Sequence, residues 1–221
     1  MKKGLLIVID GTDGSGKTTQ INLLSKFLKE KRIPFKVISF PRYGQNKYAK
    51  AVQDYLEGKF GSIEKVDPYQ ISTYYAGDRL LAKPEIEKWI NEGEMVIANR
   101  YVSSNKAHMG ANLPPNRRAK FFKWLNNLEY RENSIPKENL TILLMVDPKV
   151  GQINVLAKES SDLHEENLSH LEAANKIYLA LSQKEKNWIV VNCMKNGRMR
   201  TPEDIHLEIV KNLQDMLLSP S

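Results

Sequence analysis

Short uninterrupted apolar runs alternate along this chain with longer stretches in which apolar positions recur every three or four residues. Residues 5–10 (LLIVID) run straight into a glycine, the pattern of a strand buried on both faces of a parallel sheet. Residues 18–31 place Ile21, Leu24 and Leu28 at helical spacing, so a helix is expected to open behind a glycine-rich turn and pack back on the sheet. The next strand is 34–40 (PFKVISF). Helical patterns over 47–57 and 68–91 then lead to 94–99 (EMVIAN), and further helical patterns precede 140–146 (LTILLMV) and 187–192 (NWIVVN). Strands alternating with helices predict an α/β fold: a five-stranded parallel sheet with helices on both faces, three layers in all, and ligands beyond the C-terminal strand ends. The proline pair of residues 111–118 (ANLPPNRR) marks a loop and the start of a helix carrying Phe121, Phe122, Trp124 and Leu125, aromatic residues suited to a core or a subunit contact.

Composition narrows this picture. With 221 residues and 41% hydrophobic content the chain can bury one full core, so a single domain spanning 1–221 is expected. No apolar run approaches the roughly 20 residues that span a bilayer, and the N-terminal MKKGLLIVIDGT passes into the turn without a cleavage site. A soluble, cytoplasmic protein is the expectation. The one cysteine, Cys193, has no partner for a disulfide or a zinc cluster and reads as a small buried residue. The net charge of +7 is unevenly spread: eleven Lys/Arg stand against three Asp/Glu in residues 1–50, two against five in 151–180. Positive charge therefore surrounds the glycine-rich turn, which favours an anionic ligand there. No basic stripe with interleaved aromatics appears, so nucleic acid is not an expected partner.

The turn itself, Gly11, Thr12, Asp13, Gly14, Ser15, Gly16, Lys17 and Thr18, fits GxxxxGK[ST] without a mismatch, and it stands between a buried strand and an amphipathic helix, as a phosphate-binding loop must. Its glycines let backbone amides and a helix N-terminus face one anion. Lys17 is then placed to bridge the β and γ phosphates of ATP, and the Thr18 hydroxyl to ligate Mg²⁺. No NKxD-type stretch for reading guanine stands at a strand end. A small chain with a bound triphosphate and a second pocket points to phosphoryl transfer onto a small acceptor.

Three further stretches supply an acceptor site: SFPRYG after the second strand, YYAGDR on the long helix, and NRYVSSNKAHMG after the third strand. With these the chain resembles the thymidylate kinases, P-loop nucleoside monophosphate kinases, from Leu5 to about Val191. The resemblance implies the P-loop kinase fold, a homodimer, ATP and Mg²⁺ as cofactors, and transfer of the γ-phosphate to dTMP. It places Asp13 on the acceptor's sugar hydroxyl, Tyr75 on the thymine ring and Arg79 on its carbonyl. Arg100 takes the monophosphate with Arg42 as a second clamp, Ser104 and Asn105 face the base, and Asp10, at the family's strand-end glutamate, serves the metal. The spacing of Tyr75 and Arg79 puts both on one helix face. A guanidinium also offers phosphate a bidentate fork that a lysine cannot.

The chain departs from the family's pattern in three places. Asn99 stands where the family has an aspartate, and His108 where it has a tyrosine against the sugar's 2′ position. A lid at about 154–167 holds no arginine, although the P-loop has none at Gly14 either, which leaves Lys158 and His164 as the lid's cations. Two rival readings follow: a kinase of free deoxynucleosides, and a nucleotide-binding homologue with weak catalysis.

Overall fold

The computed structural model describes residues 3–62, 66–156 and 167–218. Five parallel strands form the central sheet: β1 (Leu6–Asp10), β2 (Phe35–Ser39), β3 (Met95–Asn99), β4 (Leu140–Met145) and β5 (Trp188–Asn192), in the order β2-β3-β1-β4-β5. The glycine-rich turn thus leaves the middle strand. Each strand lies within a residue or so of the stretch predicted from its apolar run. The register brings Asn99 level with Ile9 on one side and Ser39 on the other, and Asp10 level with Leu143. The C-terminal end of the sheet therefore presents Ser39 and Asn99 level with each other and Asp10 one residue further on.

Both faces are covered. Leu6 and Val8 of β1 join Val96, Ala98, Phe40, Ile71, Ile86, Phe121 and Leu125 in one cluster. The alternate residues Ile7 and Ile9 join Ile97, Ile142 and Leu144 against Ile21, Leu24 and Leu28 of α1 (Lys17–Glu30) and Ile205 and Ile209 of α8 (Pro202–Leu218). A strand buried on both sides has no polar positions to alternate, which is why its sequence reads as continuous hydrophobics. Each such side chain contributes about 1.5–3 kcal/mol by leaving water.

The remaining helices are α2 (Lys47–Leu56), α3 (Pro68–Asn91), α4 (Val102–Ala111), α5 (Pro115–Asn127), α6 (Pro148–Leu156) and α7 (Leu168–Ser182). Asp67 accepts the Tyr69 amide at the start of α3, and Asn46 accepts those of Tyr48 and Ala49 at the start of α2. Two features were not anticipated. A π-helical turn, Leu128–Glu132, extends α5. Strands β6 (Met194–Lys195) and β7 (Arg198–Met199) form an antiparallel ribbon around Asn196 and Gly197, both at positive φ. The Asn-Gly pair was a readable hairpin signal. Cys193 is buried, and burial pushes its thiol up to about 12, so it stays protonated and inert. No described helix is long and apolar enough to cross a membrane.

Candidate active site

The glycine-rich turn wraps the start of α1. Gly14 and Gly16 adopt positive φ of 74° and 89°, conformations that side chains resist. A Cβ on Gly14 would also lie 2.0 Å from the carbonyl oxygen of Gly151 on α6. Asn154, one turn further along α6, donates to the Gly14 carbonyl at 3.1 Å. Helix α6 thus clamps the tip of the loop from outside. The first turn of α1 has no acidic residue and no side-chain cap, so its amides remain available to an anion. The hydroxyls of Thr12 and Ser15 are buried without hydrogen-bond partners among the described residues. Lys17 Nζ donates to the carbonyls of Gly11 (3.0 Å) and Thr12 (2.8 Å), while Thr18 is exposed at the mouth.

Beside this loop lies a cavity of about 350 Å³, within the range of small-molecule sites. Asp13, Tyr75, Asn99, Arg100, Ser104, Asn105 and His108 all line it, drawn from the loop, α3, the end of β3 and α4. Arg100 sits at positive φ, 65°, where β3 turns into α4, and this turn throws its side chain back across the loop. Its guanidinium pairs with Asp13 and donates to Ser104 Oγ (3.2 Å) and the Gly11 carbonyl (3.5 Å). Burial opposes its charge, but Asp13, with Tyr178, Asp10 and Tyr75, more than offsets this and holds Arg100 above its ordinary range. The structure therefore brings together Asp13 and Arg100, the two residues that the family resemblance places on one acceptor.

Two histidines stand behind them. Arg100 Nη1 lies 3.2 Å from His108 Nε2, and His108 Nδ1 lies 3.3 Å from Nε2 of His170 on α7. A guanidinium only donates, so His108 Nε2 accepts; its proton sits on Nδ1 and points to His170. Burial pushes His170 down to about 4, despite the opposing field of Asp13, so it is neutral and can accept. His170 was not singled out from the sequence. Its spacing with Ala174 and Tyr178, four residues apart each, was the available signal for one buried face.

Three expectations need correction. Arg79 does not reach the cavity: it is buried, with Nη2 2.5 Å and Nε 3.0 Å from Glu129 Oε1 and Nη1 3.4 Å from the Tyr101 carbonyl. Tyr75 and Arg79 do share a helix face, but that face passes from the cavity into the core within one turn. Arg42 is also engaged, donating from Nε (2.9 Å) and Nη2 (3.0 Å) to the carboxylate and carbonyl of Asp78, and it faces an adjoining outer hollow instead of the acceptor cavity. Asp10 is fully buried and accepts from the Gly11 amide, Ser103, Ser104 and Tyr178 at 2.5–2.9 Å. Four donors occupy its oxygens, so it braces the loop from behind and is not placed to ligate a metal. Asn99 Oδ1 and Asn105 Nδ2 are buried on the cavity wall without hydrogen-bond partners among the described residues. Lys158 and His164 lie outside the described residues.

A glycine-rich phosphate loop on the central strand, facing an adjoining cavity across an arginine, defines a P-loop phosphotransferase with two nucleotide sites, a nucleoside monophosphate kinase. The thymidylate kinase family matches residues 9–205, and the chain belongs to that family. It is 31% identical over 207 residues to a probable thymidylate kinase of Pyrobaculum aerophilum, covering 93% of this chain and 94% of the relative. It is 32% identical over 147 residues to the thymidylate kinase of Mycobacterium tuberculosis, covering 66% and 68%. The solved thymidylate kinase of Candida albicans superposes with a TM-score of 0.76 at 20% identity, covering 96% of this chain and 92% of that one, a likeness of fold.

Proposed function

We propose that this protein transfers the γ-phosphate of ATP to the phosphate of dTMP, giving dTDP and ADP. The observation that carries the reading is Arg100, which spans from the P-loop's Asp13 and Gly11 carbonyl to the acceptor cavity's Ser104 and His108. A cation at that junction lies between two anions that otherwise repel. Triphosphate enters on the loop amides and draws Lys17 off the carbonyls of Gly11 and Thr12, since a phosphate oxygen is the stronger acceptor for an ammonium. Thr18 would offer its hydroxyl to a Mg²⁺ ion, which would supply positive charge against the phosphates when bound.

In the cavity, Arg100 takes the acceptor phosphate, Asp13 the sugar hydroxyl, Tyr75 the ring, and the carboxamide of Asn105 a polar edge of the base. The acceptor phosphate is already anionic near neutral pH, so no general base is required. Its oxygen attacks the γ-phosphorus in line, and positioning and charge stabilisation supply the rate. ATP is a cytoplasmic fuel, and that is the compartment proposed. A homodimer is also part of this reading: α3 exposes Leu80 and Leu81 on its surface, 40% and 51% accessible, as a helix covered by a second copy does.

A coupled ADP-release assay over dTMP, dUMP, dCMP, dGMP, AMP and UMP tests the reading, with dTMP expected to turn over fastest. Lys17→Ala should lower kcat on the order of 10²-fold or more, and Arg100→Ala should chiefly raise the KM for the monophosphate. Faster turnover of thymidine than of dTMP, or no turnover on any monophosphate, overturns it.

A further inference from the structure

A second and larger cavity, about 790 Å³, lies on the other side of α4. Five cationic side chains converge on it from four parts of the chain: Lys106 of α4, Lys120 and Lys123 of α5, Arg131 of the π turn, and Lys137 before β4. Among the described lining residues Glu138 and Glu185 oppose them, with Glu129 acting on Lys106 from behind, and Glu138 already accepts the Tyr130 hydroxyl at 2.7 Å. Four of the five are exposed and solvated, so they form a positive rim that draws an anion toward the enclosed Lys106.

Lys106 is the distinctive member. It is 93% buried, and among the described residues its ammonium makes no hydrogen bond and no ion pair within 4 Å. Its side chain is enclosed while its ammonium meets the cavity, and this partial loss of solvent pulls Lys106 below its usual range. Three aromatic side chains, Trp124, Tyr130 and Trp188, complete the wall. Cations around aromatic faces suit a ligand with a phosphate at one end and a flat ring at the other.

We propose that this cavity is a second ligand site, outside the catalytic cleft, for a small phosphorylated molecule bearing a planar ring, with Lys106 as its central phosphate contact. The volume accommodates a nucleotide-sized ligand. Helix α4 is the wall common to both sites: Ser103 lines the second cavity and donates to Asp10 at 2.5 Å, while Ser104 lines the acceptor cavity and donates to the same carboxylate at 2.7 Å.

The test fills the catalytic cleft with one equivalent of a bisubstrate, adenosine and thymidine joined through five phosphates, and then measures ADP and pyrophosphate binding by equilibrium dialysis. The two probes share a diphosphate and differ in the ring. Expected are saturation at one ADP per chain, ADP at least ten-fold tighter than pyrophosphate, and at least ten-fold weaker binding in Lys106→Met. The double variant Lys120→Ala, Lys123→Ala changes two exposed side chains, so it folds and turns over normally; its ADP affinity should fall several-fold. The proposal is overturned by no ADP binding once the cleft is filled, by equal affinity for the two probes, or by unchanged affinity in Lys106→Met. Should that variant not fold, unchanged affinity in the double variant overturns it instead.

Discussion

Arg79 and Glu129 are both buried, and their pairing is a structural link across 50 positions of sequence. Among the described residues Glu129 Oε2 has no hydrogen-bond partner, and the arginine is the cation that compensates the carboxylate. Breaking such a pair by removing one member leaves an uncompensated buried charge. Glu129→Ala should therefore destabilise the fold by about 3–5 kcal/mol in urea titrations, whereas Arg79→Met combined with Glu129→Leu should recover most of that loss. A direct role of Arg79 in base binding predicts instead that the folded double variant loses acceptor affinity. His170 yields a pH signature. Its folded value of about 4 lies below the ordinary 6.5, so the unfolded chain takes up a proton that the folded chain refuses. Its contribution is complete above pH 6.5 and is lost as pH falls toward 4, by at most about 3 kcal/mol. Denaturant titrations from pH 4.5 to 7.5 should show a shallower acid slope in His170→Gln than in the parent; parallel slopes would contradict the neutral assignment.

Among the elements, the phosphate loop was the most legible. Its glycines, Lys17 and the flanking apolar periods are local in sequence, and local pattern is what fixes a strand, a turn and a helix. What holds the loop's shape was not legible, because it comes from α6, some 140 positions away: the Gly151 carbonyl and the Asn154 amide against Gly14. Gly14→Ala tests this packing. A side chain there meets both a left-handed backbone and a fixed carbonyl, and it should weaken ATP binding by at least ten-fold while leaving the far-ultraviolet circular dichroism unchanged. Binding equal to the parent's would show that α6 yields freely. Helix α4 shows the same limit of local reading. Ser104, Asn105 and His108 follow from their motif and do line the cavity, whereas Ser103, one residue earlier, lines the opposite cavity and yet donates to the same Asp10 carboxylate, a role its motif does not announce.

At the scale of the whole molecule, the three inner strands β1, β3 and β4 were readable because they are buried on both sides and burial leaves a continuous apolar trace. The partly exposed outer strands β2 and β5 were readable from their β-branched runs. The pairings that decide the site's electrostatics left no such trace. Arg42 with Asp78, Arg79 with Glu129 and His108 with His170 depend on which residues the crossovers bring face to face. An arginine in a motif announces a positive charge without saying which anion it meets. The contact between Gly14 and Gly151 also carries a lesson for engineering. Since main chain already fills the space at the tip of the loop, an arginine cannot be grafted there to speed turnover. Laboratory evolution toward a faster enzyme should accordingly gather its new cations on other segments and leave this glycine untouched.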